Sequence, residues 1–343
     1  MPVADLAVSN RTIRLAFHHA FTVCAGNPSP RRWRAVHLME ELDVPGEYCF
    51  DFSSKRLYLI PPRPTGRLSV AFKDGPCFAF DGTQNFVLKD LALEEGFSTA
   101  IVAKDVSDVR FEGLSIRNFR EKAIVVDAAK RCEIVRCDVE ETGMGGVSVS
   151  GGNRRTLEAG VNLIEDCHIR RFSRHRICYA SAIDVDGVGS RIRHNLIYDA
   201  PHMAVALKGN DNLFEYNVVS NVVNCSDDAG ALYKGKDPSM RGNVIRWNLW
   251  SDIGSARGHG TAAIYFDDGD GGELVEGNVF VRAGYPGRAA FGSIFSHGGH
   301  SNVVRNCVFV HCGRAFGSAP WGDELWAKYV KGTLWQRLLR QLQ

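Results

Sequence analysis

No apolar run in this 343-residue chain approaches the ~20 residues that a membrane-spanning helix needs. The opening stretch, MPVADLAVSNRTIRLAFHHA, lacks the apolar core of a secretory signal, so no signal peptide is expected. None of the ten cysteines forms a C-x-x-C pair, which argues against zinc ribbons and dithiol redox motifs. Charge of one sign is also missing. With 41 basic and 39 acidic side chains the formal net charge is only +2, and no long basic run offers a nucleic-acid footprint. Helical patterning is absent from the middle of the chain. Glycine is plentiful, at 35 residues, as a fold with many tight turns requires.

An eight-residue pattern recurs nine times: FVLKDLAL from Phe86, VRFEGLSI from Val109, CEIVRCDV from Cys132, NLIEDCHI from Asn162, SRIRHNLI from Ser190, NLFEYNVV from Asn212, NVIRWNLW from Asn243, ELVEGNVF from Glu273 and NVVRNCVF from Asn302. The spacings are 23, 23, 30, 28, 22, 31, 30 and 29 residues, one solenoid coil per repeat. Position three runs from Leu88 through Ile192 to Val304 and position eight ends in Trp250, Phe280 and Phe309; both are apolar and expected to point inward. Position six places Cys137, Cys167, Asn195, Asn217, Asn248, Asn278 and Cys307 in one column, which predicts an internal amide ladder. Position four alternates Glu165, Arg193, Glu215, Arg246, Glu276 and Arg305, a surface ion-pair ladder between coils ~4.8 Å apart.

A second strand precedes most copies, as in SAIDVDG, MAVALKG, GALYKG, AAIYFDDG and GSIFSHGG. Parallel strands joined always in the same order give an all-β protein, a right-handed parallel β-helix of the pectate-lyase-like kind. A β-propeller would need ~40-residue antiparallel blades. Residues 1–64 read as an N-terminal capping or hairpin segment, residues 65–318 as the β-helix, and residues 319–343 as a C-terminal helical cap. In that cap Asp323 is the expected N-cap, with Leu325, Trp326, Tyr329, Leu334, Leu338 and Leu339 on the buried face.

The interior of such a helix is filled, so chemistry belongs on an outer face. Aligning the second strands on their terminal glycines puts Lys104, Asp127, Ser150, Asp186, Lys208, Lys234, Asp267 and His297 in one outward column. Two residues earlier stand Asp184, Ala206, Leu232, Tyr265 and Phe295. Charged groups beside aromatic rings suit a saccharide, which needs hydroxyl partners and stacking faces. Asp184, Asp186, Lys208, Lys234, Tyr265 and His297 are therefore expected to bind substrate. The same alignment brings His202 beside Asp228, an acid/base pair, with Asp227 next to it. In AAIYFDDGDGGELVEGN, Asp267 and Asp268 fall at the end of the groove column, whereas Asp270 reads as turn chemistry. The stretch lacks the remaining ligands of a calcium loop, so no metal is expected there.

These stretches, with DDAGALYKGKD, RGNVIRWN and LDVPGEYCFDFSSKRLYLIPP, resemble the right-handed β-helix proteins grouped around glycoside hydrolase family 141, which includes α-L-fucosidases and xylanases acting on plant cell-wall glycans. The likeness runs over about residues 38 to 340. It implies a secreted or periplasmic carbohydrate-active protein whose paired aspartates come from the DDAG and YFDDG motifs, here Asp227 or Asp228 and Asp267 or Asp268. Relatives usually have further coils upstream and an export signal, so the N-terminal segment is expected to be shortened.

The leading expectation is glycosidic hydrolysis by two carboxyl groups, with His202 assisting, by a monomer that takes a polysaccharide or oligosaccharide and needs no cofactor. Lyase or epimerase chemistry on uronates would instead use Lys208 or Lys234, helped by calcium on Asp184 and Asp186. A non-catalytic glycan-binding β-helix is the third class. Cys137, Cys167 and Cys307, read as core hydrophobes, are expected as free thiols when the protein is digested and mapped by mass spectrometry without reductant; a Cys137–Cys167 bridge would refute this.

Overall fold

A computed structural model describes residues 3–16, 35–63, 68–255 and 258–334. The chain divides into two compact units, Met1–Ser69 and Val70–Gln343. The first contains two antiparallel hairpins, Val3–Ala7 with Thr12–Leu15 and Tyr48–Asp51 with Arg56–Leu59. The second of these is the hairpin read from RLYLIPP. Cys24 lies outside the described residues.

The second unit is a right-handed parallel β-helix of three parallel sheets with nine, ten and nine strands. Each octet divides into two strands at a bend, as in Leu213–Glu215 followed by Val218–Val222. At the bend, His194, Tyr216 and Trp247 all take φ 56°, the left-handed region. Position three stacks in register from Leu88 to Val304, and position eight from Leu93 to Phe309. Ile134, Ile192, Phe214, Ile245, Trp250 and Phe280 are buried in a single continuous core.

The amide ladder is present. Asn195, Asn217 and Asn248 each donate from Nδ2 to the Oδ1 of the next asparagine in the column, ending on Asn278, at 2.9 to 3.1 Å. Each Oδ1 also accepts the backbone N–H of the preceding rung, at 2.8 to 3.1 Å. The amides thereby satisfy the bend's polar backbone where water cannot reach. The thiols of Cys137 and Cys167 complete the column and face the carbonyls of Phe111 and Ile134.

A second ladder runs through position one, which the column reading above passed over. There the backbone N–H groups of Ser190, Asn212, Asn243 and Glu273 are taken by Asn212, Asn243, Glu273 and Asn302. The surface charges form separate pairs, each arginine with the glutamate one coil before: Arg193–Glu165, Arg246–Glu215 and Arg305–Glu276, at 2.6, 2.8 and 2.8 Å.

The C-terminal α-helix spans Asp323–Tyr329, buries none of its residues, and runs on into a π-helical turn at Val330–Leu334. Gly322 precedes it in extended conformation, so Asp323 is its first residue and not its cap. Leu325 is 45% exposed. Trp326 and Tyr329 pack against Trp321, and Trp326 also meets His300. The side chain of Leu334 and residues Leu338 and Leu339 lie outside the described residues. Among the described residues no helix is long and apolar enough to cross a membrane.

The two ladders differ in energetic weight. Asn248→Ala strands several buried donors and acceptors, each costing ~1–3 kcal/mol when left unpaired. A more exposed pair such as Arg305–Glu276 contributes ~0–1 kcal/mol. Urea unfolding should therefore show a large loss for Asn248→Ala and a small one for Arg305→Ala; comparable losses would contradict the assignment.

Candidate active site on the outer face of the ten-stranded sheet

Register decides which side chains reach this face. Val205 pairs with Leu232 and Ala206 with Tyr233, so the strand Ala229–Gly235 is shifted by one residue from a glycine-to-glycine alignment. A one-residue shift moves every side chain to the opposite face. Tyr233, and not Leu232, therefore joins Asp184, Ala206, Tyr265 and Phe295 on the outside. Gly235 stands beside Asp267, where a Cβ would lie 2.9 Å from the Cβ of Asp267.

Lys234 is the main correction. It points inward, is fully buried, and cannot bind substrate. Its ammonium donates to Asp270, lies 2.9 Å from Glu273, and donates to the carbonyl of Met240 at 2.6 Å. Asp270 is consequently a core residue too, although its N–H still closes the turn on the carbonyl of Asp267. Glu273 occupies a rung of the position-one ladder, where its neighbours are asparagines, and supplies the second carboxylate.

The other residues divide by the same register. With Val205 opposite Leu232, His202 stands opposite Ala229 and not opposite Asp228, and no hydrogen bond or ion pair joins the two. His202 is 5% exposed, its Nδ1 has no partner, and burial pushes its pKa down to about 4. Asp227 accepts the backbone N–H of His259 at 2.8 Å and so fastens a neighbouring loop. Asp184 lies 3.1 Å from Lys208 and 3.6 Å from Lys122. Burial raises the pKa of Asp186. Tyr265 and Phe295 are not open stacking faces. They are buried with Phe291 in an outer-face aromatic cluster.

Asp228 and Asp267 do meet, through Tyr265. Its hydroxyl lies 2.9 Å from Asp267 Oδ1 and 3.4 Å from Asp228 Oδ1. The long phenol spans the strand separation that makes a direct meeting of the two carboxylates difficult. Asp267 Oδ1 also accepts the backbone N–H of Asp268 and faces His297 Nδ1, both at 2.9 Å. Its Oδ2 accepts, among the described residues, the hydroxyl of Tyr233 at 2.7 Å.

The two carboxyl groups are driven apart. Partial desolvation raises Asp228, although its side chain still reaches solvent, and too few charge partners oppose it. Burial also acts to raise Asp267, but donors from His297, Tyr233 and Tyr265 outweigh it and leave Asp267 below the ordinary carboxylate range. Both tyrosines are held far above their usual values, first by burial, and stay donors.

Donor atoms of Asp267, Asp268 and His297 lie within 4.8 Å of one another, as metal ligands would. The histidine argues otherwise. Asp267 and Asp268 pull its pKa up to about 9, but Trp321 aims its indole N–H at Nε2 from 3.1 Å. A donor can face Nε2 only if that nitrogen is unprotonated, so the geometry is that of a neutral ring with its proton on Nδ1, facing the carboxylates. No lone pair is left there for a metal, and Trp321 covers the nitrogen that a substrate would have met. Tyr233 and Trp321 were not found from sequence. Tyr233 was hidden by the register shift, and Trp321 follows the last repeat, where no periodicity remains.

A family model described as "Right handed beta helix region" matches residues 181–320, which include every carboxylate and ring of this site except Trp321. A solved structure titled "Glycoside hydrolase" superposes with a TM-score of 0.53 at 12% identity, over 85% of this chain and 59% of its own length. The chain thus spans under two thirds of that protein. No curated protein sequence matches this chain.

The buried Lys234 cluster makes stability depend on pH. Burial raises Glu273 and drives Asp270 up to about 7, against the pull of Lys234. A raised carboxyl contributes stability that is full below its unfolded value and lost as pH rises through the folded one. Asp270→Asn mimics the protonated acid, so its stability relative to the native protein should rise from about pH 4 to pH 7 in urea titrations. His202 acts with opposite sign but is common to both proteins and cancels in the difference. Lys234→Met leaves two carboxyl groups without a cation and should cost ~3–5 kcal/mol. A pH-independent difference for Asp270→Asn would remove the cluster from the account.

Proposed function

We propose that this outer face hydrolyses glycosidic bonds, with Asp228 as general acid and Asp267 as nucleophile. The observation that carries the reading is the Tyr265 hydroxyl shared by Asp228 and Asp267, at 3.4 and 2.9 Å, in environments that push their pKa values apart. Protonated Asp228 gives its proton to the leaving oxygen while Asp267 Oδ2 attacks the anomeric carbon. Water then hydrolyses the glycosyl ester, with ionised Asp228 taking its proton. The two nearest oxygens lie no farther apart than these two hydrogen bonds end to end. The reading takes the two carboxyl groups as a retaining pair, which requires a separation of ~5–5.5 Å.

Along the same face, Asp184, Asp186, Lys122 and Lys208 offer polar partners to further sugar units. The resemblance to glycoside hydrolase family 141 supports a plant-wall glycan as substrate and an exported, monomeric protein as its carrier. The lyase alternative is weakened twice. Lys234 is inside the core, and the Asp184 carboxylate that would hold calcium is taken by two ammonium groups.

Incubation with xylan and fucosylated wall oligosaccharides should release new reducing ends without ultraviolet-absorbing unsaturated products, and the first-formed anomer should keep the substrate's configuration. Asp228→Asn and Asp267→Asn should each lower turnover by ~10²–10⁴-fold with melting temperature nearly unchanged. Asparagine tolerates the left-handed φ of 50° at position 228. Unsaturated products, or full activity in folded Asp267→Asn, would overturn the mechanism.

A further inference from the structure

Trp321 lies beyond the last repeat and packs edge-on to His297, with ring centroids 5.5 Å apart. Trp326 and Tyr329 of the following helix hold it, at 5.1 and 5.0 Å. Gly298 leaves space for it, since a Cβ there would lie 2.3 Å from the indole. The groups facing His297 are Asp267 at the end of its strand, Asp268 in the turn after it, and this indole; Lys236 stands 3.9 Å from Asp268.

We infer that Trp321 is a positioning residue that confines the His297 proton to Nδ1 and keeps the ring uncharged beside Asp267. This rests on the reading of Asp267 as the reacting carboxylate, but the state of the ring is measurable without any substrate. An indole N–H is donor only. It bonds to Nε2 while that nitrogen holds a lone pair and would be opposed by an N–H there. Without the indole, Nε2 is free to take a proton, and two adjacent carboxylates favour the imidazolium. A cation would then sit against Asp267 Oδ1, and the nucleophile would become less basic. Trp321 thus acts on the reactivity of Asp267 through the intervening ring of His297.

Long-range ¹H–¹⁵N spectra of histidine-labelled protein test this directly. In the native protein at pH 7, His297 should give the neutral Nδ1–H pattern. Its titration midpoint should rise from below 7 in the native protein toward about 9 in Trp321→Phe, where the two carboxylates act on the ring unopposed. In an active enzyme the same substitution should lower kcat with KM retained and move the acidic limb of the pH profile downward. If Trp321→Phe does not fold, the native protein decides alone: the Trp321 indole proton should lose its hydrogen-bonded shift as His297 takes its second proton. An Nε2–H or imidazolium pattern at pH 7, or an unchanged midpoint in folded Trp321→Phe, would overturn the inference. A confirmed ring state in a protein without hydrolase activity would refute the proposed function and leave this inference standing.

Discussion

Registration between coils is the constraint on which the rest of the molecule depends. In a stack of parallel strands each side chain meets its column neighbours before anything else, so a slip of one residue exchanges inside for outside. Two ladders of side-chain amides hold that registration at the bends. Each rung pairs with a backbone N–H of the coil before it, and a slipped coil would leave buried polar groups unmatched. Apolar columns alone would tolerate sliding, because one valine packs much like another. The asparagines do not.

Where registration departs from the glycine spacing, the fold compensates with charge. Lys234 enters the core at a position that Leu207 and Phe266 fill in the adjoining coils. Asp270 and Glu273 neutralise it, and Glu273 does so from within an asparagine ladder. Two acids around one ammonium in a dry interior leave one carboxyl favouring its proton. The cluster lies under the turn that carries Asp267 and Asp268 and beside Tyr233. Core and site therefore share one backbone segment, with ionised groups on both of its faces.

On the outer side the same logic of donors and burial distributes protons. Asp267 is surrounded by donors and is held low, and Asp228 has few and is raised. Tyr265, sealed under Phe291, joins them without being exposed itself. His297 is held between a carboxylate and an indole, and its orientation follows from the partner at each nitrogen.

The sequence alone determined the β-helix, because nine octets with invariant apolar positions leave only one way to stack. It also determined the asparagine ladder, the arginine–glutamate pairs and the two motifs that supply Asp228 and Asp267, since each is a column or motif readable in one dimension. Only the tertiary structure decided which strand-mates share a face around residue 232, and with it the fates of Lys234, Tyr233 and His202. Terminal glycines mark where a strand ends but not how it registers with its neighbour. Closed packing also turned Tyr265 and Phe295 from open stacking faces into a buried cluster, because Phe291, just before the strand Ile294–His297, packs against both. Trp321 was out of reach for the simplest reason: it follows the last strand, Phe316–Ala319, whose parallel register beside His297 brings it there, and no further repeat remains to align it.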